Sequence, residues 1–250
     1  MTGLDPGTVD VWVLHIPTPY PVLDRAMTVL DAEEVARARR FVRAADRTRF
    51  VAAHVGLRQL LGAYLGVAPS EVVLSRAACP RCGGPHGRPQ ALGAQFHFSM
   101  AHSADVVLYA VAAVPVGVDV EAVEAVTVQD LLGILDSAER SAVDALPPPA
   151  RARAILGCWV RKEAYLKGIG TGLAVDPAQV HVGCGTGPVD APVATDGPDG
   201  WGLVDLPVGA EHVAALALAA TPATAIAVSV GRFDLDDPCV EHPASGSPGG

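Results

Sequence analysis

Two acidic residues stand two positions apart in an otherwise apolar segment, Val116-Gly-Val-Asp119-Val-Glu121. The alternation predicts a strand on which Asp119 and Glu121 share one face. Their Cα atoms are then about 7 Å apart, close enough for both carboxylates to converge on one cation. Carboxylate oxygens suit Mg²⁺, which also accepts substrate phosphates. The competing interpretation is an edge strand that exposes its acids to solvent.

A third acidic residue, Glu163, lies in a predicted helix that contains both lysines of the chain, Lys162 and Lys167. At about 100° per residue, Glu163 falls in the middle of an apolar arc. The arc comprises Ile155, Leu156, Trp159, Val160 and Leu166. An ionised carboxylate facing a core is costly unless it is paired or metal-bound, so Glu163 is the expected third metal ligand. The other basic residues are sixteen arginines, and lysine differs from arginine in being a compact charge whose pKa shifts readily.

The elements that must position these residues are short strands and long helices. Asp31 followed by Glu34 is a capping-box signature, and a second helix is expected from about Arg47 to Leu65. A helix from about residue 150 to 168 carries Glu163, and short apolar segments, one of them near Val180, predict strands. We expect an α+β fold with an N-terminal lobe over residues 1–113, a C-terminal lobe over 114–233 and a disordered tail over 234–250.

Taken together, these motifs resemble those of a known enzyme family. Gly117-Val-Asp119-Val-Glu121 followed by Trp159-x-x-Lys162-Glu163-Ala-x-x-Lys167 is similar to the two signature motifs of the 4′-phosphopantetheinyl transferases, in their larger, Sfp-type form. Upstream, Gly87-Arg88-Pro89 resembles a Gly-Lys-Pro element, and Phe98-Ser-Met-Ala-His102-Ser103 resembles Phe-Asn-x-Ser-His-Ser. Arg37-x-Arg39-Arg40-Phe41, with Arg49 eight residues after Phe41, is similar to the family's N-terminal basic element.

The resemblance implies two similar α+β lobes related by pseudo-twofold symmetry, with coenzyme A and Mg²⁺ bound between them. It also implies an enzyme that transfers the 4′-phosphopantetheine group of coenzyme A to a serine of an apo acyl or peptidyl carrier protein and releases 3′,5′-ADP. Asp119, Glu121 and Glu163 would hold Mg²⁺. Glu163 would act as the base, directly or through a water, and Lys167 would steady the phosphate or leaving group. The residues expected to bind coenzyme A are Arg37, Arg49, Arg88, His102, Ser103 and Lys162.

Three positions depart from the family pattern. Glu34 stands where a lysine is often found near the 3′-phosphate, Ala101 replaces a common serine, and Ser99 replaces an asparagine. None of them is an expected Mg²⁺ ligand, but Glu34 and Ala101 leave the affinity for coenzyme A open.

Cys79-Pro-Arg-Cys82-Gly-Gly-Pro-His86 contains half of the ligand pattern of a zinc knuckle, with three candidate ligands at Cys79, Cys82 and His86. We expect a reduced loop ahead of Arg88. The alternative is a structural zinc with a fourth ligand from elsewhere, such as Cys184.

Composition narrows the function classes. A net charge of −9 argues against sequence-independent binding to nucleic acid, which requires a broad basic face. The chain shows no signal peptide and no convincing membrane span, so we expect a cytoplasmic protein. Both acidic motifs lie in one chain, which favours a monomer. A composition rich in Ala, Arg, Gly and Pro hints at specialised metabolism, such as polyketide, nonribosomal peptide or antibiotic biosynthesis.

Two other function classes stay open. One is a non-catalytic module that binds coenzyme A or a carrier domain. The other is a different Mg²⁺ phosphotransferase, although the sequence has no Walker loop and no glycine-rich nucleotide fingerprint. The carrier protein, the pathway and the tolerance for acylated coenzyme A are not readable from the residues.

Overall fold

A computed structural model of the chain describes residues 4, 7–16, 26–124, 131–185, 189–220 and 227–236. The helices in these ranges are α1 (Ala32–Arg40), α2 (Ala44–Leu65), α3 (Ser137–Asp144) and α4 (Pro148–Ile169). The strands are β1 (Thr8–His15), β2 (Leu74–Arg76), β3 (Pro89–Ala91), β4 (His97–Ser103), β5 (Val106–Ala112), β6 (Val116–Ala122), β7 (Val193–Asp196), β8 (Gly202–Asp205), β9 (His212–Leu218) and β10 (Ala227–Phe233). None of the described helices is long and apolar enough to cross a membrane.

The strands form two four-stranded sheets and one short hairpin. The first sheet has the order β10-β1-β5-β4, with β10 parallel to β1 and the other pairs antiparallel. The second sheet has the order β6-β9-β8-β7 and is antiparallel throughout. β2 and β3 form the separate hairpin. β4 and β6 are therefore edge strands of different sheets, and serine side chains of β4 bond the backbone of β6.

Three apolar clusters hold these layers together. α2 packs on the first sheet in a cluster that includes Phe50, Leu61 and Tyr109. α4 packs on the second sheet through residues such as Leu166, which lies against Leu203 and its neighbours. The third cluster lies between the two sheets and is built from Val9, Val11, Leu108, Val118, Val204 and Leu216 among others. Each sheet thus buries one face against a long helix and the other against the second sheet.

The ends of two helices follow directly from sequence. The capping box at the start of α1 forms as predicted, because Asp31 accepts from the Glu34 N–H and Glu34 accepts from the Asp31 N–H. α4 starts at Pro148, and proline is well tolerated there because an N–H group in the first turn would have no acceptor within the helix. It ends at Gly170, whose φ of 83° lies in the left-handed region that glycine adopts at little cost. These two ends define the span of the helix that carries Glu163.

The mixture of helices and sheets confirms the α+β class, while the pseudo-twofold relation and the lobe boundaries stay predictions. β10, which the sequence reading placed in the C-terminal lobe, pairs with β1 of the first sheet. The strand expected near Val180 does not form. A short 3₁₀ turn precedes that residue, and the carbonyls of Pro177 and Val180 accept from Lys162 instead of from a neighbouring strand. Most of the expected tail, residues 237–250, lies outside the described residues.

Candidate active site

β6 and α4 approach each other backbone to backbone at Gly117. A Cβ atom on Gly117 would lie 2.0 Å from the carbonyl oxygen of Ala164 and 2.5 Å from the amide nitrogen of Gly168. Only a residue without a side chain fits here. Asp119, two residues further along β6, is thereby held near Glu163 and Lys167, which lie one turn apart on α4. The contact explains why glycine precedes the acidic pair in the motif.

Asp119 is buried and paired with Lys167. The ammonium of Lys167 donates to Asp119 Oδ1 at 2.6 Å and to the carbonyl oxygen of Val118 at 3.4 Å. The other carboxylate oxygen, Oδ2, is buried and has no hydrogen-bond partner among the described residues. Burial raises the pKa of Asp119 to about 7; Lys167 opposes this rise, and the charges of Glu163 and Glu121 add to it.

Glu163 is the second acidic residue of the site with a buried carboxylate oxygen and a raised pKa. Its Oε1 atom is buried, and within the described part of the chain no group forms a hydrogen bond with it. Burial raises the pKa of Glu163, the charge of Lys167 lowers it, and the charge of Glu121 raises it further. Buried polar atoms are normally satisfied, so two unpartnered carboxylate oxygens on facing elements mark a place where a cation would be stabilised.

Glu121 is held by a serine from the neighbouring sheet. Ser103 Oγ donates to Glu121 Oε2 at 2.9 Å and accepts from the backbone N–H of Ala122 at 3.0 Å. Four residues earlier on β4, Ser99 Oγ accepts from the N–H of Val118 at 3.1 Å. The two serines therefore satisfy two backbone N–H groups at the edge of β6. The hydroxyl of Ser103, expected near coenzyme A, is engaged in orienting Glu121.

The three acids interact electrostatically but are not closed into a ligand cage. Glu121 raises the pKa of both Asp119 and Glu163. Within the described part of the chain, two other groups of three potential ligands have all their atoms within 4.8 Å, and the acidic triad is not one of them. Lys167 takes one oxygen of Asp119 and balances part of the negative charge. The chemistry of the donor set, oxygen only with two buried unpartnered atoms, fits a hard divalent cation.

A cleft of about 620 Å³ opens beside Lys167. Its basic lining residues are Arg37, His54, Arg76, His86, Arg88 and Lys167, and its acidic ones are Asp31, Glu33 and Glu34. Arg88 donates a hydrogen bond to the carbonyl oxygen of Gly168 at 3.1 Å. Burial lowers the pKa of Arg88, but an arginine side chain keeps its positive charge. The guanidinium of Arg37 stacks 5.3 Å from the ring centre of Phe50. The cleft therefore presents cations beside the acidic triad, as a polyphosphate ligand requires.

Not every residue predicted to bind coenzyme A reaches this cleft. His102 lies on β4, is exposed and does not line the cleft. Desolvation lowers its pKa, the charges of His54, Lys167 and Arg37 act in the same direction, and the charge of Glu121 opposes them. Arg49 pairs with Asp46 at 3.1 Å and does not line the cleft.

Lys162 faces away from the cleft altogether, which corrects its predicted role. Its side chain is fully buried and pairs with Glu139 at 2.7 Å. The carbonyl oxygens of Pro177 and Val180 accept its remaining hydrogens. All three donors of this ammonium are satisfied inside the protein. Lys162 therefore joins α4 to α3 and the 177–180 turn, and does not join the candidate site.

The cleft contains a charged group that the sequence reading missed. His54 Nδ1 lies 2.8 Å from Glu34 Oε1, and Arg58 donates through Nε to Glu34 Oε2 at 2.6 Å and through Nη2 to Asp31. Burial acts to raise the pKa of Glu34, but these hydrogen bonds outweigh it and lower the pKa. The negative charge of Glu34 is thus neutralised within the protein. Helical spacing could have indicated the group, since His54 and Arg58 share the face of α2 that carries Phe50.

Comparison with known proteins gives a consistent result. The family model of the 4′-phosphopantetheinyl transferase superfamily matches residues 115–197, which include all three acids. The chain is 30% identical over 174 residues to the 4′-phosphopantetheinyl transferase HetI of Nostoc sp., covering 66% of this chain and 70% of that protein. It is 27% identical over 177 residues to a putative 4′-phosphopantetheinyl transferase of Synechocystis sp., covering 66% and 65%. Over 153 residues it is 24% identical to the 4′-phosphopantetheinyl transferase of Bacillus subtilis, covering 61% of this chain and 65% of that protein. The matches to the Synechocystis and Bacillus proteins therefore each span just under two thirds of the relative.

Proposed function

Because the chain belongs to the 4′-phosphopantetheinyl transferase superfamily and is a transferase of that class, we propose that it modifies apo carrier proteins from coenzyme A in a Mg²⁺-dependent reaction. The carrier serine hydroxyl attacks the β-phosphate of coenzyme A, the phosphate ester of the carrier forms, and 3′,5′-ADP leaves. The observation that carries this proposal is the meeting of Asp119, Glu163 and Lys167 at the end of a cleft with basic walls.

The cleft side chains bind and orient the phosphates. Arg37 and Arg88 supply guanidinium donors from opposite elements, and His54 lines the same cleft. The contact of His102 with a phosphate stays a prediction. The Arg88 contact with Gly168 ties the cleft wall to the end of α4, so a phosphate bound by Arg88 is held in register with Lys167. In phosphoryl transfer, positioning and charge complementarity provide most of the rate enhancement.

Asp119, Glu121 and Glu163 are the residues that would hold Mg²⁺. When bound, the ion offsets charge on the pyrophosphate and supplies electrostatic stabilisation of the transition state. Ser103 orients Glu121 for this role through its hydroxyl. Lys167, which pairs with Asp119, keeps the acids from repelling one another and places a positive charge where the leaving phosphate develops negative charge.

Glu163 is the proposed base. Its raised pKa and its unpartnered Oε1 give it an atom that can take the proton of the serine hydroxyl, directly or through a water. The neighbouring positive charge of Lys167 opposes this rise in pKa.

We place the substrates of this activity among carrier proteins of polyketide, nonribosomal peptide or fatty-acid assembly, and the enzyme in the cytoplasm. Both acidic motifs are in one chain and meet within it, so a monomer suffices for activity.

Intact mass spectrometry tests the proposal. The protein is incubated with coenzyme A, Mg²⁺ and an apo carrier protein, and the carrier is expected to gain the mass of one phosphopantetheine. Glu163→Gln should lower the rate by at least about 100-fold, since it removes the base and a metal ligand. Glu211→Gln, which changes an exposed glutamate outside the site, should leave the rate unchanged.

Two outcomes would contradict the proposal. Tight binding of coenzyme A with no mass gain on any carrier would identify a non-catalytic binding module. Full activity of the Glu163→Gln protein would show that the acidic triad does not take part in the reaction as proposed.

A further inference from the structure

The loop between β2 and β3, residues 77–88, brings two thiols and an imidazole together. Cys82 Sγ lies 3.0 Å from His86 Nε2, and the ligand atoms of Cys79, Cys82 and His86 all lie within 4.8 Å of one another. We propose that these three residues bind one Zn²⁺, with a water in the fourth position. The site is separate from the acidic triad and is independent of the proposed catalytic role.

The ligand types and spacing select this metal class. Thiolate and imidazole ligands favour zinc over Mg²⁺, which prefers oxygen. Bond lengths of about 2.0–2.3 Å place neighbouring ligand atoms of a tetrahedral zinc roughly 3.3–3.8 Å apart. The three ligand atoms lie within 4.8 Å of one another, and one pair is 3.0 Å apart, so side-chain shifts of about 1 Å bring them to this spacing.

The backbone of the loop is shaped around Cys79. The Cys79 carbonyl accepts from the Gly83 N–H at 2.8 Å, and the Cys79 N–H donates to the Gly84 carbonyl at 2.8 Å. This tight turn, with Gly83 at a φ of 72°, points both thiols to the same side.

The loop has little apolar packing of its own to hold it in place. Within residues 77–88 only Cys79 and Gly87 are buried, so apolar packing contributes little. Gly87 lies directly against the backbone, since a Cβ there would be 2.5 Å from the Ala77 carbonyl oxygen. A cross-link between positions 79, 82 and 86 would fix the loop where packing does not.

The fourth ligand is not Cys184, which corrects the alternative drawn from sequence. Cys184 lies beside Cys158 and near Glu139, in the core formed around α4. In the described part of the chain no further cysteine, histidine or acidic side chain joins the group of three. Three protein ligands and a water is a coordination that zinc accepts.

The zinc site would support the wall of the cleft. His86, Gly87 and Arg88 all line that cleft. The loop closes through the Ala77 N–H, which donates to the Arg88 carbonyl at 2.9 Å, and through Arg76, which donates to the Gly87 carbonyl at 3.2 Å. Ordering residues 79–86 therefore orders the backbone that carries Arg88.

Metal analysis and cobalt substitution test the proposal on the full-length protein under reducing conditions. We expect about one zinc per chain after purification without added chelator. The metal-free protein, titrated with Co²⁺ alone, should develop a thiolate-to-cobalt charge-transfer band that saturates at about one equivalent and is displaced by Zn²⁺. Hydrogen exchange should slow in residues 77–88 when Zn²⁺ is added.

Variants at the exposed ligands keep the test independent of folding. Cys82→Ser and His86→Asn should each weaken Co²⁺ binding by at least about 100-fold, whereas Cys184→Ser should bind as the unaltered protein does. The proposal is overturned by an absence of zinc together with no charge-transfer band, by a Cys79–Cys82 disulfide in freshly purified protein in place of the metal, or by equal metal loss in Cys184→Ser. None of these outcomes depends on transferase activity.

Discussion

The two lysines of α4 have opposite roles because five positions separate them, which turns the side chains about 140° around the helix. Lys167 points to Asp119 and the cleft, while Lys162 points into the protein and pairs with Glu139. The charge of Lys167 is available to the proposed ligand, whereas the charge of Lys162 holds α3 and the 177–180 turn. Sequence rarity singled out both residues without distinguishing these roles.

Glu139→Gln tests the structural role of Lys162. The change leaves a fully buried ammonium without its counter-charge, so we expect unfolding free energy to fall by about 3–5 kcal/mol at pH 7. The KM for coenzyme A should stay within about twofold, because neither partner reaches the cleft. Urea unfolding and steady-state kinetics measure the two effects, with Glu211→Gln as the neutral control. An increase in the KM for coenzyme A of about tenfold or more, with stability unchanged, would contradict the structural assignment.

The same pair has a defined pH dependence. Burial acts to raise the pKa of Glu139, but hydrogen bonds from Lys162, Val182 and Asp136 outweigh it and lower the pKa. A glutamate with a lowered folded pKa stabilises the protein above its unfolded pKa of about 4.3, and this stabilisation is lost as the pH falls through the folded value. The stability difference between the unaltered protein and Glu139→Gln should therefore be full at pH 7 and shrink below about pH 4.

At the scale of elements, the close contact of β6 with α4 is what assembles the acids. Gly117→Ala would place a Cβ 2.0 Å from the Ala164 carbonyl oxygen, and this overlap could be relieved only by a movement of the backbone of β6 or α4. We expect the strand to shift off the helix, with activity reduced by at least about 100-fold as the geometry of Asp119 against Lys167 is lost. Gly133→Ala is the matched control, because its Cβ would meet no atom within 4 Å. Carrier modification by both variants, compared with circular dichroism, separates misplacement from unfolding; unchanged activity of Gly117→Ala would refute the argument.

What the sequence could predict about the elements depended on how local each signal is. The capping box of α1 and the strand of Asp119 and Glu121 formed as expected, because propensity and period act within a few residues. The helix of Glu163 also formed, but α4 is buried on more than the predicted arc. Arg161, which lies outside that arc, is buried in a two-bond pair with Asp205. Periodicity predicted the helix but not its burial on several sides, because a charged residue buried in an ion pair looks like part of an exposed polar face.

Long-range pairings were beyond local signals. No residue of β10 indicates that it joins β1 rather than the strands that precede it. The bonds from Ser99 and Ser103 to β6 likewise required two sheet edges to meet, and the sequence reading had assigned Ser103 to the ligand. Sequence thus indicated the acids of the site, whereas the structure was needed to show that Ser103, Glu34 and Lys162 bond other protein groups.

For the molecule as a whole, the sheets are linked in several independent ways. They share the third apolar cluster, β10 carries the end of the described chain back to the first sheet, and Arg88 bonds the end of α4. The core around α4 and the core around α2 therefore depend on a common layer. Domains that share so much buried surface should lose their structure together.

Two single-tryptophan proteins test this cooperativity. Trp12 lies in the core of the first sheet, and Trp201 packs against the core of the second. The double variant Trp159→Phe/Trp201→Phe keeps only Trp12 as a reporter, and the double variant Trp159→Phe/Trp12→Phe keeps only Trp201. In each protein, the urea midpoint from fluorescence should coincide with the midpoint from far-ultraviolet circular dichroism, which monitors the whole chain. Comparison within one protein removes the effect of the substitutions on stability. If Trp201 reports an earlier transition than circular dichroism while Trp12 reports a later one, the two halves unfold separately, and the shared layer between the sheets does not couple them.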